Sequence, residues 1–141
     1  MPDRTSYGAR DQGKDWVGTA SGLWTIAAAV YMTVMGPQGF AELGETCIAR
    51  SHYAAKRLAA LPGVEIKLSP AFFKEFVVNF DGAHTTVAEV NERLLDHAIF
   101  GGKDLSRDFP ALGQSALYCV TEVHSRADVE RLATAVKKVL S

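Results

Sequence analysis

Four histidines, two cysteines and sixteen acidic residues are the material for metal, nucleophilic or acid-base chemistry in this chain of 141 residues. A metal site needs ligands that converge, commonly three or four residues apart on a helix. His52, His84, His97 and His124 show no such pairing, and Cys47 and His52, five positions apart, would stand about 140° apart around a helix. A phosphate cradle needs glycines where backbone amides approach the anion. No GxGxxG occurs, Gly102-Lys103 is followed by Asp104 instead of Ser or Thr, and the upstream P-loop glycine position holds His97. A serine elbow would read GxSxG, but Gly18-Thr19-Ala20-Ser21-Gly22 places its serine one position late and Gly113-Gln114-Ser115 lacks the closing glycine. The acidic pairs Glu42 with Glu45 and Glu89 with Glu92 fall on predicted helix surfaces, where solvated charge is the ordinary explanation. Arg107 is different, because a guanidinium in a loop just before a strand can clamp a carboxylate through two parallel hydrogen bonds. The plainer alternative is a surface arginine paired with Asp104 or Asp108.

The elements that must position these groups follow from periodicity and punctuation. Residues 1–15 are polar, with Gly8 and Gly13 among charges, and read as an arm or linker before a domain over 16–141. From Trp16 to Met35 the residues Leu23, Ile26, Ala27, Val30 and Val34 recur at helical spacing, with Trp24 and Tyr31 on a second flank. That pattern predicts a helix buried nearly all round. Gly36-Pro37 stops it and starts a second helix over about 37–61, striped by Phe40, Leu43, Cys47, Ala54, Ala55, Leu58 and Leu61 and ended by Pro62-Gly63. Val64 to Leu68 alternates as a strand, and Phe72 to Phe80 supplies an antiparallel partner closed by Asp81-Gly82. Thr86 with Glu89 forms a capping-box pattern that opens a third helix over about 86–98. Lys103 to Gly113 is a loop containing Pro110. Gln114 to Thr121 reads as a third strand, and Ser125 with Asp128 opens the last helix, whose apolar face is Val129, Leu132, Ala133, Val136 and Leu140. The order predicts an α+β fold, a small antiparallel sheet of about three strands covered by helices and preceded by two long helices.

Composition narrows the function classes. Fifteen basic against sixteen acidic residues give a net charge of -1, scattered along the chain, which favours neither nucleic acid nor anionic membrane as a partner. The apolar run Leu23 to Met35 is shorter than the roughly 18 residues that cross a bilayer. The polar start carries no secretory signal, so the cytoplasm is expected, with Cys47 and Cys119 as small buried apolar side chains.

Several separated phrases resemble one known family in the same order. They are AAAVYMTVMGPQGFAELGE (Ala27 to Glu45), HYAAKRLAALPGVEI (His52 to Ile66), FFKEFVVNF (Phe72 to Phe80) and GGKDLSRDFPALGQSALYCVTEVHSRADVERL (Gly101 to Leu132). From about Arg10 onward the chain is similar to the C-terminal part of subunit 1 of glycine dehydrogenase (decarboxylating), the P-protein family of the glycine cleavage system. The resemblance implies the small C-terminal domain of a type I pyridoxal-phosphate enzyme, together with the helix that leads into it. It implies an assembly that decarboxylates glycine and passes the aminomethyl group to the lipoyl arm of the H-protein. It places no catalytic, cofactor-binding or metal-binding residue on this chain, because the cofactor lysine belongs to subunit 2. Lys14, Lys56, Lys67, Lys74, Lys103, Lys137 and Lys138 match no part of that lysine's motif. Arg107 falls in the loop where type I enzymes often hold a substrate carboxylate. The segment Arg10 to Ser21 departs from the family, with Ala20 where an asparagine is usual.

Two functional readings follow. In the first, the chain is a fragment or split subunit that works only beside a P-protein large domain or subunit 2, with pyridoxal phosphate in the parent complex and none bound by this chain alone. In the second, it is a non-catalytic self-associating or interaction module derived from that domain.

Overall fold

The computed structural model describes residues 22–68 and 71–141. The expected arm over 1–15, the start of the first helix, Lys14 and the divergent segment Arg10 to Ser21 lie outside the described residues. Two compact units divide at Phe40 and Ala41.

Helix α1 spans Gly22–Ala59 and is interrupted at Gly36, whose φ of 61° and ψ of 179° leave the helical region. A positive φ costs a side-chain-bearing residue and not glycine, and Pro37 next to it brings the helical φ that restarts the run. The two long helices expected from sequence are therefore one helical stretch with a break at the expected position. In the first unit the apolar residues are not buried. Leu23 is 79% exposed, Trp24 74% and Val34 78%, and Tyr31 meets Phe40 edge-on. The expectation of a helix buried nearly all round is corrected. Periodicity shows that a face wants cover, and within residues 22–40 there is only the helix itself.

The second unit carries the sheet. Strands β1 (Glu65–Lys67), β2 (Glu75–Asn79), β3 (Lys103–Asp104) and β4 (Ser115–Cys119) lie in the order β1-β2-β4-β3 with every pair antiparallel. The fold is α+β as expected, with four strands in place of about three. The extra strand is two residues long, too short to show alternation, and falls in the stretch whose sequence predicts a loop. Helices α2 (Val87–Leu95) and α3 (Arg126–Val139) begin with complete capping boxes, Thr86 with Glu89 and Ser125 with Asp128. Each box satisfies two amides that the helix start leaves without partners.

One face of the sheet builds the core. Phe76, Val78 and Phe80 from β2 and its end, and Ala116, Tyr118 and Val120 from β4 and its end, pack with Ala54, Ala55 and Leu58 of α1, Val87, Val90 and Leu94 of α2, and Val129, Ala133 and Val136 of α3. These are alternate residues, as a strand with one face on helices requires. Cys47 is buried as expected, but Cys119 is exposed, because its odd position turns it away from the helices. Leu58 is 1% exposed, and its replacement by Ala should cost about 2–5 kcal/mol in a denaturation midpoint series. Leu23→Ala, on the exposed face, should change stability by no more than about 0.5 kcal/mol.

Candidate functional site

The loop between β3 and β4 is held at both ends. Leu105 is buried and donates its amide to Ser115 O at 2.9 Å, and the Asp104 carboxylate accepts the Ser106 amide at 2.8 Å. After a short 3-10 turn at Pro110–Leu112, Gly113 takes a φ of 65° and passes so close to Asp81 that a Cβ there would lie 2.1 Å from Oδ2. The Asp81 carboxylate accepts the Gln114 amide at 2.9 Å and an Asn79 Nδ2 proton at 2.8 Å. Asn79 Nδ2 also donates to Leu112 O at 2.9 Å and Ser115 Oγ at 3.0 Å. Asn79 and Ser115 are buried polar residues of the central strands, and this network satisfies them. The Gln114 amide and the Asn79 side chain hold the Asp81 carboxyl below its ordinary range.

Arg107 sits in the turn that this frame carries. Its side chain is exposed and forms no ion pair or hydrogen bond among the described residues. Neither expected acidic neighbour pairs with it: Asp108 lies 3.7 Å from Lys103, and Asp104 caps Ser106. The guanidinium is thus free for a planar anion on an anchored turn.

Toward the opposite end of β4 from that turn, a cleft of about 450 Å³ is lined by Ile99, Phe100, Gly102, Tyr118, His124 and Leu132 among others. Burial pushes the Tyr118 phenol up to about 12, against a smaller opposite effect of the Gly102 amide. No lysine lines this cleft. Among the described residues Lys56, Lys103, Lys137 and Lys138 are exposed and Lys67 and Lys74 half-buried. Covalent attachment of pyridoxal phosphate needs a sheltered, neutral lysine amine, so these residues do not fit that group. No group of three or more His, Cys, Asp or Glu among the described residues could hold a metal ion. No helix among them is long and apolar enough to cross a membrane.

Polar ties that spacing alone did not reveal fasten the later part of α1 to the segment before α3 and to α3 itself. Arg50 donates to Glu122 O and, at 2.8 Å, to His124 O, while the Cys47 thiol donates to Glu122 Oε2 at 3.3 Å. Burial is the main cause that raises the Cys47 thiol. Arg57 makes a two-pronged contact with Glu130, 2.8 Å at each oxygen, and the Tyr53 hydroxyl donates to the same carboxylate. Arg57 first and Tyr53 second hold the Glu130 carboxyl down to about 2. These pairings join positions more than seventy residues apart, so no local sequence signal announces them.

Comparison with known proteins gives these features a context. No protein-family model matches the chain. Curated relatives named probable glycine dehydrogenase (decarboxylating) subunit 1 do match. The relative from Moorella thermoacetica is 38% identical over 84% of this chain and 26% of its own length. The one from Sulfurisphaera tokodaii is 36% identical over 100% of this chain and 29% of its own length. A crystal structure of glycine decarboxylase (P-protein) of the glycine cleavage system, in inhibitor-bound form, superposes with a TM-score of 0.80 at 25% identity, covering 99% of this chain and 31% of that one. The chain therefore spans little more than a quarter of the length of these curated relatives.

Two substitutions test the Asn79 network and the Glu130 contact. Asn79→Ala should cost about 1–3 kcal/mol in denaturant unfolding, since it strands the polar groups it now satisfies. A carboxyl held low in the folded state stabilises above its ordinary value and loses that contribution as the pH falls through its folded value. Glu130→Gln should therefore flatten the dependence of Tm on pH between 4.5 and about 2, and an unchanged slope would contradict the pairing.

In sequence along its whole length and in fold, the chain is a relative of the glycine dehydrogenase (decarboxylating) P-proteins, corresponding to a segment of subunit 1.

Proposed function

We propose that this chain is a working piece of a glycine dehydrogenase P-protein assembly, acting in the cytoplasm only beside chains that supply the large domain and the cofactor. The observation that carries this reading is coverage: the chain is matched over 84% to 100% of its residues by relatives of which it spans 26% to 29%. The bare apolar face of α1 supports it, since Leu23, Trp24, Ile26, Val30 and Val34 stand 58% exposed or more and form a surface that a partner would cover.

The assembly removes carbon dioxide from glycine and passes the aminomethyl group to the lipoyl arm of the H-protein. Pyridoxal phosphate, held by the partner chains, supplies the electron sink for that decarboxylation. This chain contributes a docking helix and a fixed turn. Arg107, on that turn, is assigned to the glycine carboxylate, for which a free guanidinium offers two parallel donors.

Leu23→Asp and Ile26→Asp should each abolish association with P-protein chains in size-exclusion chromatography, because each would place an unpaired charge in the contact. Association that survives both changes would remove α1 from the interface. Arg107→Lys, in the assembled enzyme, should raise KM for glycine by roughly tenfold or more while leaving assembly intact. Pyridoxal phosphate added to the chain alone and reduced with borohydride should give no stoichiometric adduct on one lysine. A symmetric dimer that buries the same α1 face and does not bind P-protein chains would support the self-associating module instead.

A further inference from the structure

The turn that joins β4 to α3 is closed by a reciprocal pair of hydrogen bonds. The His124 amide donates to Thr121 O at 3.2 Å, and the Thr121 amide donates to His124 Nδ1 at 3.0 Å. A backbone amide offers a proton and no lone pair, so Nδ1 must be the acceptor and the ring proton sits on Nε2. Only a neutral imidazole closes the turn in this way. Other ties depend on the same four residues. Arg50 of α1 donates to Glu122 O and, at 2.8 Å, to His124 O, and the Cys47 thiol donates to Glu122 Oε2 at 3.3 Å. Ser125, the next residue, is the N-cap of α3.

His124 is half-buried and lines the 450 Å³ cleft together with Asp128 and Arg131 of α3. Asp128 Oδ2 accepts the Ser125 amide at 2.8 Å and the Ser125 hydroxyl at 2.6 Å. Those two bonds, hydroxyl first, hold the Asp128 carboxyl below its ordinary range, and the charges of Arg131 and His124 add to the effect. Arg131 donates to Ala98 O at 2.8 Å. From α1 come Arg50 and the Cys47 thiol, and from the turn itself Glu122. Lys74 acts on the Glu122 carboxyl, though less than that residue's own amide and the Cys47 thiol do. β4 brings Tyr118 and Cys119 to the cleft, and the segment 98–102 brings no ionisable side chain. Asp128 and Glu122 therefore favour a charged ring, while Arg50, Arg131 and Lys74 oppose it. Of the two carboxylates, Asp128 is the one that shares the cleft with the ring.

We propose that His124 is a pH-operated latch: neutral, it accepts the Thr121 amide and keeps the turn closed on Arg50; protonated, it swings its ring toward the Asp128 carboxylate and lets the turn open. A proton arriving at Nδ1 from solvent sets two donors head-on, so the hydrogen bond is lost and the Thr121 amide is left without its acceptor. Imidazole is the side chain suited to this between pH 5 and 8. Opening displaces the carbonyls that Arg50 holds, and the later part of α1 loosens from the start of α3. The latch belongs to the second unit alone and does not depend on the assembly reading above.

The test is NMR on the full 15N-labelled chain between pH 8 and 5, following the His124 ring nitrogens and the exchange of the Thr121 amide relative to its intrinsic rate at each pH. Thr121 should lose at least about tenfold of its protection over the interval in which the ring takes its proton, while the Val136 amide in α3 keeps its own. His124→Asn places a non-titrating acceptor where Nδ1 stands, and protection at Thr121 should then stay constant with pH. Asp128→Asn should move the ring's titration to lower pH, because it removes the charge that favours the imidazolium. Protonation of the ring with Thr121 still protected, a ring that stays neutral to pH 5, or the same loss of protection in His124→Asn would each overturn the latch.

Discussion

The pairing of β2 with β4, from Glu75 opposite Cys119 to Asn79 opposite Ser115, fixes the positions of nearly every other part of the second unit. It puts Phe76, Val78, Phe80, Ala116, Tyr118 and Val120 on the face that the helices cover. A slip of one residue would turn that set to the opposite face, so the register is enforced by the whole core. The same register places Asn79 beside Ser115 on the far face, where their side chains hold the loop that carries Arg107. It also sets which backbone groups of β4 face β2 and which face the open edge. Core, loop and cleft thus share one geometric cause.

Energetics separate the two units. In the second, fully buried side chains such as Phe80, Leu58 and Leu94 each contribute roughly 1.5–3 kcal/mol by leaving water. In the first, residues of the same kind stay in water and contribute little. Exposed tryptophan, leucine and isoleucine side chains at helical spacing are costly to keep in a freely soluble surface, and their natural use is contact with another chain. The relatives matched are several times longer than this chain, and in the proposed assembly further P-protein chain covers this face.

Much of this was legible in the sequence where the signal is local. Both capping boxes, the break at Gly36-Pro37, the stop at Pro62-Gly63 and the strands around Ile66, Val78 and Leu117 are set by neighbours within a few residues. What escaped depends on distant partners. Strand β3 exists because Lys103 meets Leu117, not because two residues have a strand pattern. The network of Asn79, Asp81 and Ser115 joins positions up to 36 apart, and a polar residue inside a strand gives no hint of which loop it will hold. The α1 face shows the reverse case: periodicity identifies an apolar stripe, but burial depends on a second surface, and residues 22–40 supply none. Arg107 stands out in the sequence by its place in a loop before a strand, and the structure shows an anchored turn without either expected acidic partner.

The central claim is that this chain works inside a larger P-protein assembly, and native purification from its own cells tests it most directly. Intact mass and peptide sequencing of the purified material should show the chain together with P-protein chains in fixed stoichiometry. Recovery of the chain by itself, as a self-dimer free of P-protein, would contradict the account.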